Sequence, residues 1–226
     1  DGDLDLIAGN LGYNTRLQAT PEEPVRLYFN DFDDNGKKEQ VLTYYVKGKE
    51  VALSSKDELQ RQMPVLKKNF IYAEDFAKAS ITQILSESKI KSSIVSTADC
   101  FANSILVNNG NFNFTVHELP WQAQITSYRD AAVVNANNDN LPDILLAGNY
   151  YSNNIHNGRY DADYGTILIN KGNGGFACQN MNGQNFTGEV RKIESVTINN
   201  QPCVLLARNN DSARVLKFAI GHITGK

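Results

Sequence analysis

The fold of this chain is decided by the stretch Val25-Arg-Leu-Tyr-Phe-Asn-Asp-Phe-Asp-Asp-Asn-Gly-Lys-Lys-Glu-Gln-Val-Leu42, in which two apolar segments flank an oxygen-rich loop. The same pattern returns in Ala132-Val-Val-Asn-Ala-Asn-Asn-Asp-Asn-Leu-Pro-Asp-Ile-Leu-Leu-Ala147. Both loops carry oxygen-bearing side chains at loop positions 1, 3, 5 and 9, and a strand-like run follows directly. A hard cation prefers several oxygens that converge from one short, sharply turned segment. The pattern therefore predicts a metal loop between β-strands, present twice.

The predicted ligands are side-chain oxygens together with the main-chain carbonyl at position 7 of each loop. In the first loop they are Asp31, Asp33, Asn35, the carbonyl of Lys37, and Glu39; in the second they are Asn135, Asn137, Asp139, the carbonyl of Leu141, and Asp143. Gly36 and Asn140 are expected at the bends, where a permissive residue is needed. Calcium is the expected ion, and sodium or an empty loop is the alternative. An EF-hand is excluded because strands, not helices, are expected on both sides.

The first residues of the chain match only the end of such a loop. Asp1 aligns with position 5 and Asp5 with position 9, so Asp1, Asp3 and Asp5 are the predicted remnants of a third metal loop. The strand that precedes the other two loops has no counterpart here. We therefore expect a fragment of a longer repeat protein whose N-terminal blades are missing.

A second repeat follows a different pattern. Ile105-Leu-Val-Asn-Asn-Gly-Asn-Phe-Asn-Phe114 matches Ile167-Leu-Ile-Asn-Lys-Gly-Asn-Gly-Gly-Phe176 in having an apolar strand, a turn and an aromatic residue that opens the next strand. Asn and Gly readily adopt the positive φ angles of tight turns. The pattern predicts hairpins at Asn109-Gly110 and at Lys171-Gly172.

One segment, residues 54–90, has helical instead of strand periodicity. Ser55 and Glu58 have the spacing of a capping box, and Pro64 is expected to end or kink the helix that follows. Apolar residues three or four apart predict this helix and a second one, through Leu59, Met63, Leu66 and Phe70, and then through Phe76, Ala77, Ser80, Ile81, Ile84 and Leu85.

The two loops, the strand that ends Ala147-Gly-Asn149 and the turn Asn170-Lys-Gly-Asn-Gly-Gly-Phe176 resemble FG-GAP/VCBS repeats, the calcium-loop blades also found in integrin α-subunit propellers. Other segments, among them Gly9-Asn-Leu-Gly-Tyr-Asn-Thr-Arg16, are similar to bacterial FG-GAP-like exported proteins of the kind associated with ASPIC/UnbV modules. The resemblance implies an all-β fold with a small helical insertion, a partial β-propeller of four-stranded antiparallel blades. The expected segments are 1–53 (blade remnants with a metal loop), 54–90 (helical insertion), 91–126 (blade strands), 127–188 (blade with a metal loop) and 189–226 (C-terminal blade).

Composition excludes some classes of partner. The 226 residues carry a formal net charge of −3, and the basic residues are interleaved with acidic ones. This distribution of charge gives no sign of a basic patch that would bind nucleic acid. No apolar run approaches the roughly 18 residues of a membrane-spanning helix. The resemblance implies a location outside the cytoplasm, in the periplasm, at the cell surface or secreted.

For function we weigh three classes. The first is a non-catalytic binding or scaffold module whose calcium-stiffened loops present a face to a protein or glycan. Its best ligand-binding candidates lie in the connection 149–165, where aromatic and polar side chains are combined: Tyr150, Tyr151, Arg159, Tyr160 and Tyr164. Alternatively, these tyrosines clamp the connection onto its own blade.

The second class is a hydrolase-like enzyme, in which His156 would work with Asp161 or Asp163 as an acid/base pair. No histidine lies in a nucleophile motif such as Gly-x-Ser-x-Gly. The third class is a purely structural repeat of a larger assembly.

Overall fold

Antiparallel β-sheets account for most of the secondary structure. The computed structural model describes residues 2–139, 141–172, 174–181 and 185–217, and within them fourteen strands form four antiparallel sheets. The expectation of an all-β chain with a small helical segment is confirmed. Asp1, Asn140 and residues 218–226, which belong to predicted metal loops and to the predicted last blade, lie outside the described residues.

The elements are numbered in chain order. The strands are β1 Leu6–Ala8, β2 Val25–Asn30, β3 Glu39–Val46, β4 Lys49–Ala52, β5 Ile94–Ala98, β6 Ser104–Asn108, β7 Phe114–Glu118, β8 Tyr128–Val134, β9 Asp143–Gly148, β10 Thr166–Asn170, β11 Phe176–Asn180, β12 Val190–Ile198, β13 Gln201–Arg208 and β14 Arg214–Leu216. The helices are α1 Lys56–Gln62, α2 Leu66–Asn69, α3 Ala73–Lys78, α4 Ile81–Ile84 and α5 Glu87–Lys91, with a 3-10 turn at Trp121–Gln124.

The chain forms two compact units, one inserted in the sequence of the other. The first unit comprises the described residues of Asp1–Arg16 and Ala102–Lys226, and the second is Leu17–Phe101. The first unit contains the sheets β1-β6-β7, β11-β10-β9-β8 and β12-β13-β14, and the second contains the sheet β4-β3-β2-β5.

In the sheet β11-β10-β9-β8, strand β9 is buried along its whole length, and residues 144–147 of this strand are apolar. Successive side chains of a strand point to opposite faces. Ile144 and Leu146 enter a core with Leu119 and Ala123, which follow β7. Leu145 enters a different core, formed with β12 and β13 by residues such as Val190, Ile193, Val204 and Leu206. This sheet therefore lies between the other two sheets of the first unit.

A polar contact fixes the sheet β12-β13-β14 against β8. Asp130 Oδ2 accepts a hydrogen bond from the main-chain N of Ile193 at 2.8 Å and an ion pair from Lys192 Nζ at 2.9 Å. A side-chain carboxylate on one sheet thus satisfies a main-chain donor of the next sheet.

In the second unit, helices cover one face of the sheet. Tyr28 and Val41 pack with buried residues of the helical segment, among them Leu59, Met63, Leu66, Phe76 and Ile84. The capping box at Ser55 and Glu58 is confirmed, and α1 ends at Gln62, just before Pro64, as predicted.

The prediction of a single second helix was wrong. The helical stripe from Phe76 to Leu85 is divided between α3 and α4, because Ala79 and Ser80 adopt extended backbone angles. Ser80 then begins α4 with its own capping box to Gln83. Phe76 and Ile81 both remain buried, since the break redirects the chain and keeps both apolar residues on the sheet.

The helical insertion predicted at residues 54–90 connects the two edges of the sheet β4-β3-β2-β5. It leaves the sheet after β4 but returns as β5, which pairs with β2 at the opposite edge. The five helices cross the face of the sheet between these two points. The strand order in this sheet is therefore not sequential.

The two predicted hairpins are confirmed. β6 pairs with β7 and β10 pairs with β11, both antiparallel, and the turns contain Gly110 and Gly172 at φ angles of 78° and 74°. A side chain at these angles would be strained, which accounts for glycine at both positions.

We expect Leu145→Ala to lower the free energy of unfolding of the first unit by about 2–5 kcal/mol, because it leaves a cavity in a closed core. Leu145 is fully buried, whereas Val133 on the adjacent strand is 59% exposed. Val133→Ala is the control and should cost less than about 1 kcal/mol. Urea unfolding followed by circular dichroism measures both variants. Equal costs would contradict the burial of Leu145 in a closed core.

Candidate functional site

Three carboxylates of the first predicted metal loop lie together. Oxygens of Asp31, Asp33 and Glu39 all lie within 4.8 Å of one another. Asp33 Oδ1 is buried and has no hydrogen-bond partner. The structure thus brings together the residues at positions 1, 3 and 9 of the loop, which strands β2 and β3 hold at its two ends.

Hydrogen bonds within the loop give it its sharp turn. The Asp31 carboxylate accepts from the main-chain N of Asn35 at 3.0 Å and of Gly36 at 2.8 Å. Asn35 Oδ1 accepts from the main-chain N of Lys37 at 2.8 Å. Gly36 has a φ of 83°, which a side chain would disfavour. The local sequence therefore folds the loop around the Asp31 carboxylate.

The carboxylate at position 9 makes the same contact in both loops. Glu39 Oε2 accepts from the main-chain N of Phe32 at 2.9 Å, and Asp143 Oδ2 accepts from the main-chain N of Ala136 at 2.8 Å. Both carboxylates are buried. Glu39, although one methylene longer than aspartate, satisfies the corresponding donor.

The second loop is divided between a buried part and an exposed part. Asn135 is fully buried, and neither its Oδ1 nor its Nδ2 has a hydrogen-bond partner. Asn137 and Asp139 are exposed and bond to each other, with 2.6 Å between Asn137 Nδ2 and Asp139 Oδ2. The main-chain N of Leu141 donates to Asp139 Oδ1 at 2.8 Å. Buried amides almost always have partners, so the Asn135 side chain marks an unsatisfied polar position.

Asp5 occupies the place that the alignment with Asp143 assigns to it. Asp5 Oδ1 accepts from the main-chain N of Asn108, and Asp143 Oδ1 accepts from the main-chain N of Asn170, both at 2.9 Å. The side chains of Asn108 and Asn170 also donate to equivalent carbonyls, those of Leu4 at 3.3 Å and Pro142 at 3.1 Å. Asp3 is exposed, and Asp1 lies outside the described residues.

Sequence reasoning missed a lysine beside the first loop. Lys89 Nζ donates to the main-chain carbonyl of Asp31 at 2.7 Å and pairs with the carboxylate of Asp34. The hydrogen bond to Asp34, with the charges of Asp34, Asp31 and Asp33, raises the pKa of Lys89 against the opposing effect of desolvation. Lys89 follows the loop by fifty residues in the sequence, so no local pattern could have indicated this contact.

The tyrosine connection is partly built into the first unit. Tyr150 and Tyr160 close its base with main-chain hydrogen bonds of 2.8 and 3.0 Å. The Tyr160 hydroxyl lies 2.9 Å from Thr15 Oγ1, and the Arg159 guanidinium lies 5.0 Å from the ring centre of Tyr151. Tyr150, Tyr151 and Tyr160 are half-buried, whereas Arg159 and Tyr164 are exposed. Of the five predicted ligand-binding residues, three are therefore partly packed into the unit and two are exposed.

A buried carboxylate anchors the end of this connection. Asp163 accepts from the main-chain N of Gly148 at 3.1 Å, from that of Gly165 at 3.0 Å and from Thr166 Oγ1 at 3.3 Å. Burial raises the pKa of Asp163 to about 6, although these hydrogen bonds act in the opposite direction. The side chain of Asn149, at a φ of 76°, bonds both the N and the carbonyl of Asp163 at 3.0 Å.

The structure does not join the residues of the predicted acid/base pair. The hydrogen bonds of the Asp163 carboxylate go to β9 and β10, while His156 and Asp161 are exposed. The His156 main-chain N donates to Asn154 Oδ1 at 3.0 Å. Asp163 is therefore a structural anchor of the connection in this arrangement.

A cavity of about 330 Å³ lies between β1 and the start of β8, and sequence reasoning did not indicate it. Its lining includes Leu6, Leu119 and Leu146 as well as the charged Arg129 and Asp130. Asp130 is bonded to Lys192 and Ile193, and the Arg129 guanidinium lies 4.8 Å from the ring centre of Tyr150. Asp5, a third charged residue of the lining, accepts from the main-chain N of Asn108.

Comparison with known proteins identifies no family for this chain. No family model, no curated protein and no solved structure matches this chain. Among the described residues, none of the helices is long and apolar enough to cross a membrane.

We expect Asp163 to make the protein less stable as pH rises from about 4 to about 6. Its pKa in the folded state, about 6, exceeds the ordinary value of 3.8, so between these values the folded state binds more protons than the unfolded state. At about 1.4 kcal/mol per pKa unit, the loss of unfolding free energy should be about 2–3 kcal/mol.

The measurement is the difference in unfolding free energy between the wild type and Asp163→Asn across this pH range. The difference should shift by that amount in favour of the variant as pH rises. Asp161→Asn, which removes a charge from the exposed part of the same connection, is the control. A difference that does not vary with pH would contradict the raised pKa.

Proposed function

We propose that this chain is a non-catalytic binding or scaffold module in which calcium stiffens the loops 31–39 and 135–143. The observation that carries the proposal is the convergence of carboxylate oxygens in the first loop, and a buried, unpartnered amide in the second loop adds to it. Asp31, Asp33 and Glu39 share one small region, and Asn135 is buried with its amide unpartnered next to a buried Asp143 on the following strand.

The spacing in the first loop fits a calcium ion. Calcium binds oxygens at about 2.3–2.6 Å, so two ligands of one ion lie within about 5 Å of each other. The three carboxylates meet this limit, with their oxygens within 4.8 Å. Without a cation, carboxylates held so closely repel one another. Asn35 and the carbonyl of Lys37 would complete the set, and sodium is the alternative ion.

The second loop would bind calcium more weakly. Its carboxylates are Asp139 and Asp143, and its other proposed ligands, Asn135, Asn137 and the carbonyl of Leu141, are neutral. Calcium affinity rises with the charge of the ligand set. In addition, Asn137 and Asp139 would have to give up their mutual hydrogen bond to turn towards an ion.

For architecture, we propose that the three stacked sheets of the first unit are successive blades of an FG-GAP/VCBS-type propeller. Two features support this. The central sheet buries both faces against its neighbours, and the Asp5–Asn108 and Asp143–Asn170 contacts have the same geometry in two of the sheets. As part of such a propeller, the chain would belong to an exported or surface protein.

The exposed part of the tyrosine connection is the proposed recognition surface for a protein or glycan. Tyr164 is 53% exposed, and Arg159 is exposed beside the ring of Tyr151. Aromatic rings and arginine are enriched where proteins recognise partners. The clamped residues Tyr150 and Tyr160 would hold this surface in place.

If the first loop binds calcium, the ion should raise the melting temperature by several degrees, because a ligand that binds only the folded state stabilises it by mass action. Asp33→Ala should abolish most of this rise. Asp99→Asn, at an exposed aspartate of the same unit, should leave it intact. Calorimetry in calcium and in chelator measures the effect, and identical melting temperatures in the two would reject the site.

For the recognition surface, we expect Tyr164→Ala and Arg159→Gln to weaken binding at least about tenfold, the scale of an interface hot spot, with little change in melting temperature. The probe is a glycan and surface-protein array. Tyr72→Ala, at a 70% exposed tyrosine of the second unit, is the control. Undiminished binding by both stable variants would place recognition elsewhere.

A further inference from the structure

Helix α5 places Lys89 against the first loop through a rigid set of contacts. Asn30, the residue before the loop, donates from its Nδ2 to the Lys89 carbonyl and to Ser92 Oγ, both at 2.9 Å. Ser93 Oγ also donates to the Lys89 carbonyl at 2.7 Å. The backbone of Lys89 is thus fixed to the end of β2, and its side chain has a short, defined reach to the loop.

The Lys89 ammonium is bound to the loop itself. It donates to the carbonyl of Asp31, whose carboxylate belongs to the cluster with Asp33 and Glu39, and it pairs with Asp34. The Lys89 side chain is only 24% exposed, whereas Lys91 on the same helix is 80% exposed and pairs with Glu87 at 3.7 Å. Of these two lysines, Lys89 therefore contacts the loop, whereas Lys91 faces solvent.

We propose that Lys89 is a tethered cation that stabilises the ion-free loop and lowers its affinity for divalent cations. This inference rests on the proposed calcium site. The Lys89 charge offsets part of the repulsion among Asp31, Asp33 and Glu39. An incoming divalent ion meets carboxylates that are already partly neutralised, and it is also repelled by the ammonium.

The same charge affects the choice of ion. Coulomb repulsion by the ammonium scales with the charge of the bound ion, so it opposes calcium about twice as strongly as sodium. Lys89 therefore narrows the loop's preference for calcium over sodium. Because Lys89 lies on α5, at the end of the helical segment, this segment influences the calcium concentration at which the loop binds the ion.

The test compares calcium affinity by titration calorimetry in the full 226-residue chain, with Asp33→Ala identifying the signal of the first loop. Lys89→Met should bind calcium about 3–10-fold more tightly than the wild type, the size expected for one partly screened charge. Lys89→Gln, which keeps a donor but no charge, should show the same gain. Lys89→Arg and the matched control Lys91→Met should stay within about twofold of the wild type.

A second readout separates the charge effect from misfolding. In chelator, Lys89→Met should melt below the wild type and Lys91→Met should not, and saturating calcium should shrink that deficit. For the choice of ion, the gain in sodium affinity, measured by competition, should be smaller than the gain in calcium affinity. Calcium binding by Lys89→Met but not by the wild type would also support the inference.

Equal affinity in the wild type and both neutral variants would overturn the role of Lys89 while leaving the calcium site in place. An equal gain in Lys91→Met would overturn it as well, because net charge alone would then explain the effect. If neither the wild type nor the neutral variants bind calcium, the site and the inference both fall.

Discussion

A buried carboxylate at the start of a strand is the contact on which the strand–loop–strand units depend. Asp143 accepts hydrogen bonds from the main-chain N atoms of Ala136 and Asn170, so it joins a loop, β9 and β10 at one point. Buried main-chain donors that lack a partner cost free energy comparable to a lost hydrogen bond. Glu39 in the other loop and Asp5 in the first sheet make parts of the same connection.

The faces of the sheets are covered in different ways in the two units. In the first unit, β9 has one apolar residue after another, because each of its faces meets another sheet. In the second unit the sheet meets helices on one face, and the helical segment returns to the edge opposite the one it left. The same strand–loop–strand motif is thus compatible with two kinds of packing, since in both loops the carboxylate at position 9 accepts a hydrogen bond from a main-chain N within the loop.

The charge balance of the first loop includes a residue from the helical segment. The carboxylates of this loop lie within 4.8 Å of one another, and Lys89 places a positive charge beside them through its contacts with Asp31 and Asp34. The second loop has a different charge balance. Its carboxylates are only Asp139 and Asp143, and the buried Asn135 amide has no partner. One loop therefore combines excess negative charge with a tethered cation, and the other combines little charge with an unsatisfied polar group.

The sequence by itself determined the features that arise from neighbouring residues: the strands around the two loops, the glycines at positive φ, the hairpins and the capping box at Ser55. These depend on hydrogen bonds and backbone preferences that span a few residues. The tertiary structure alone decided that β5 pairs with β2, that the stripe from Phe76 to Leu85 is broken, and that Lys89 reaches Asp31. Each of these depends on which distant surfaces bury one another, and that choice leaves no periodic trace in the local sequence.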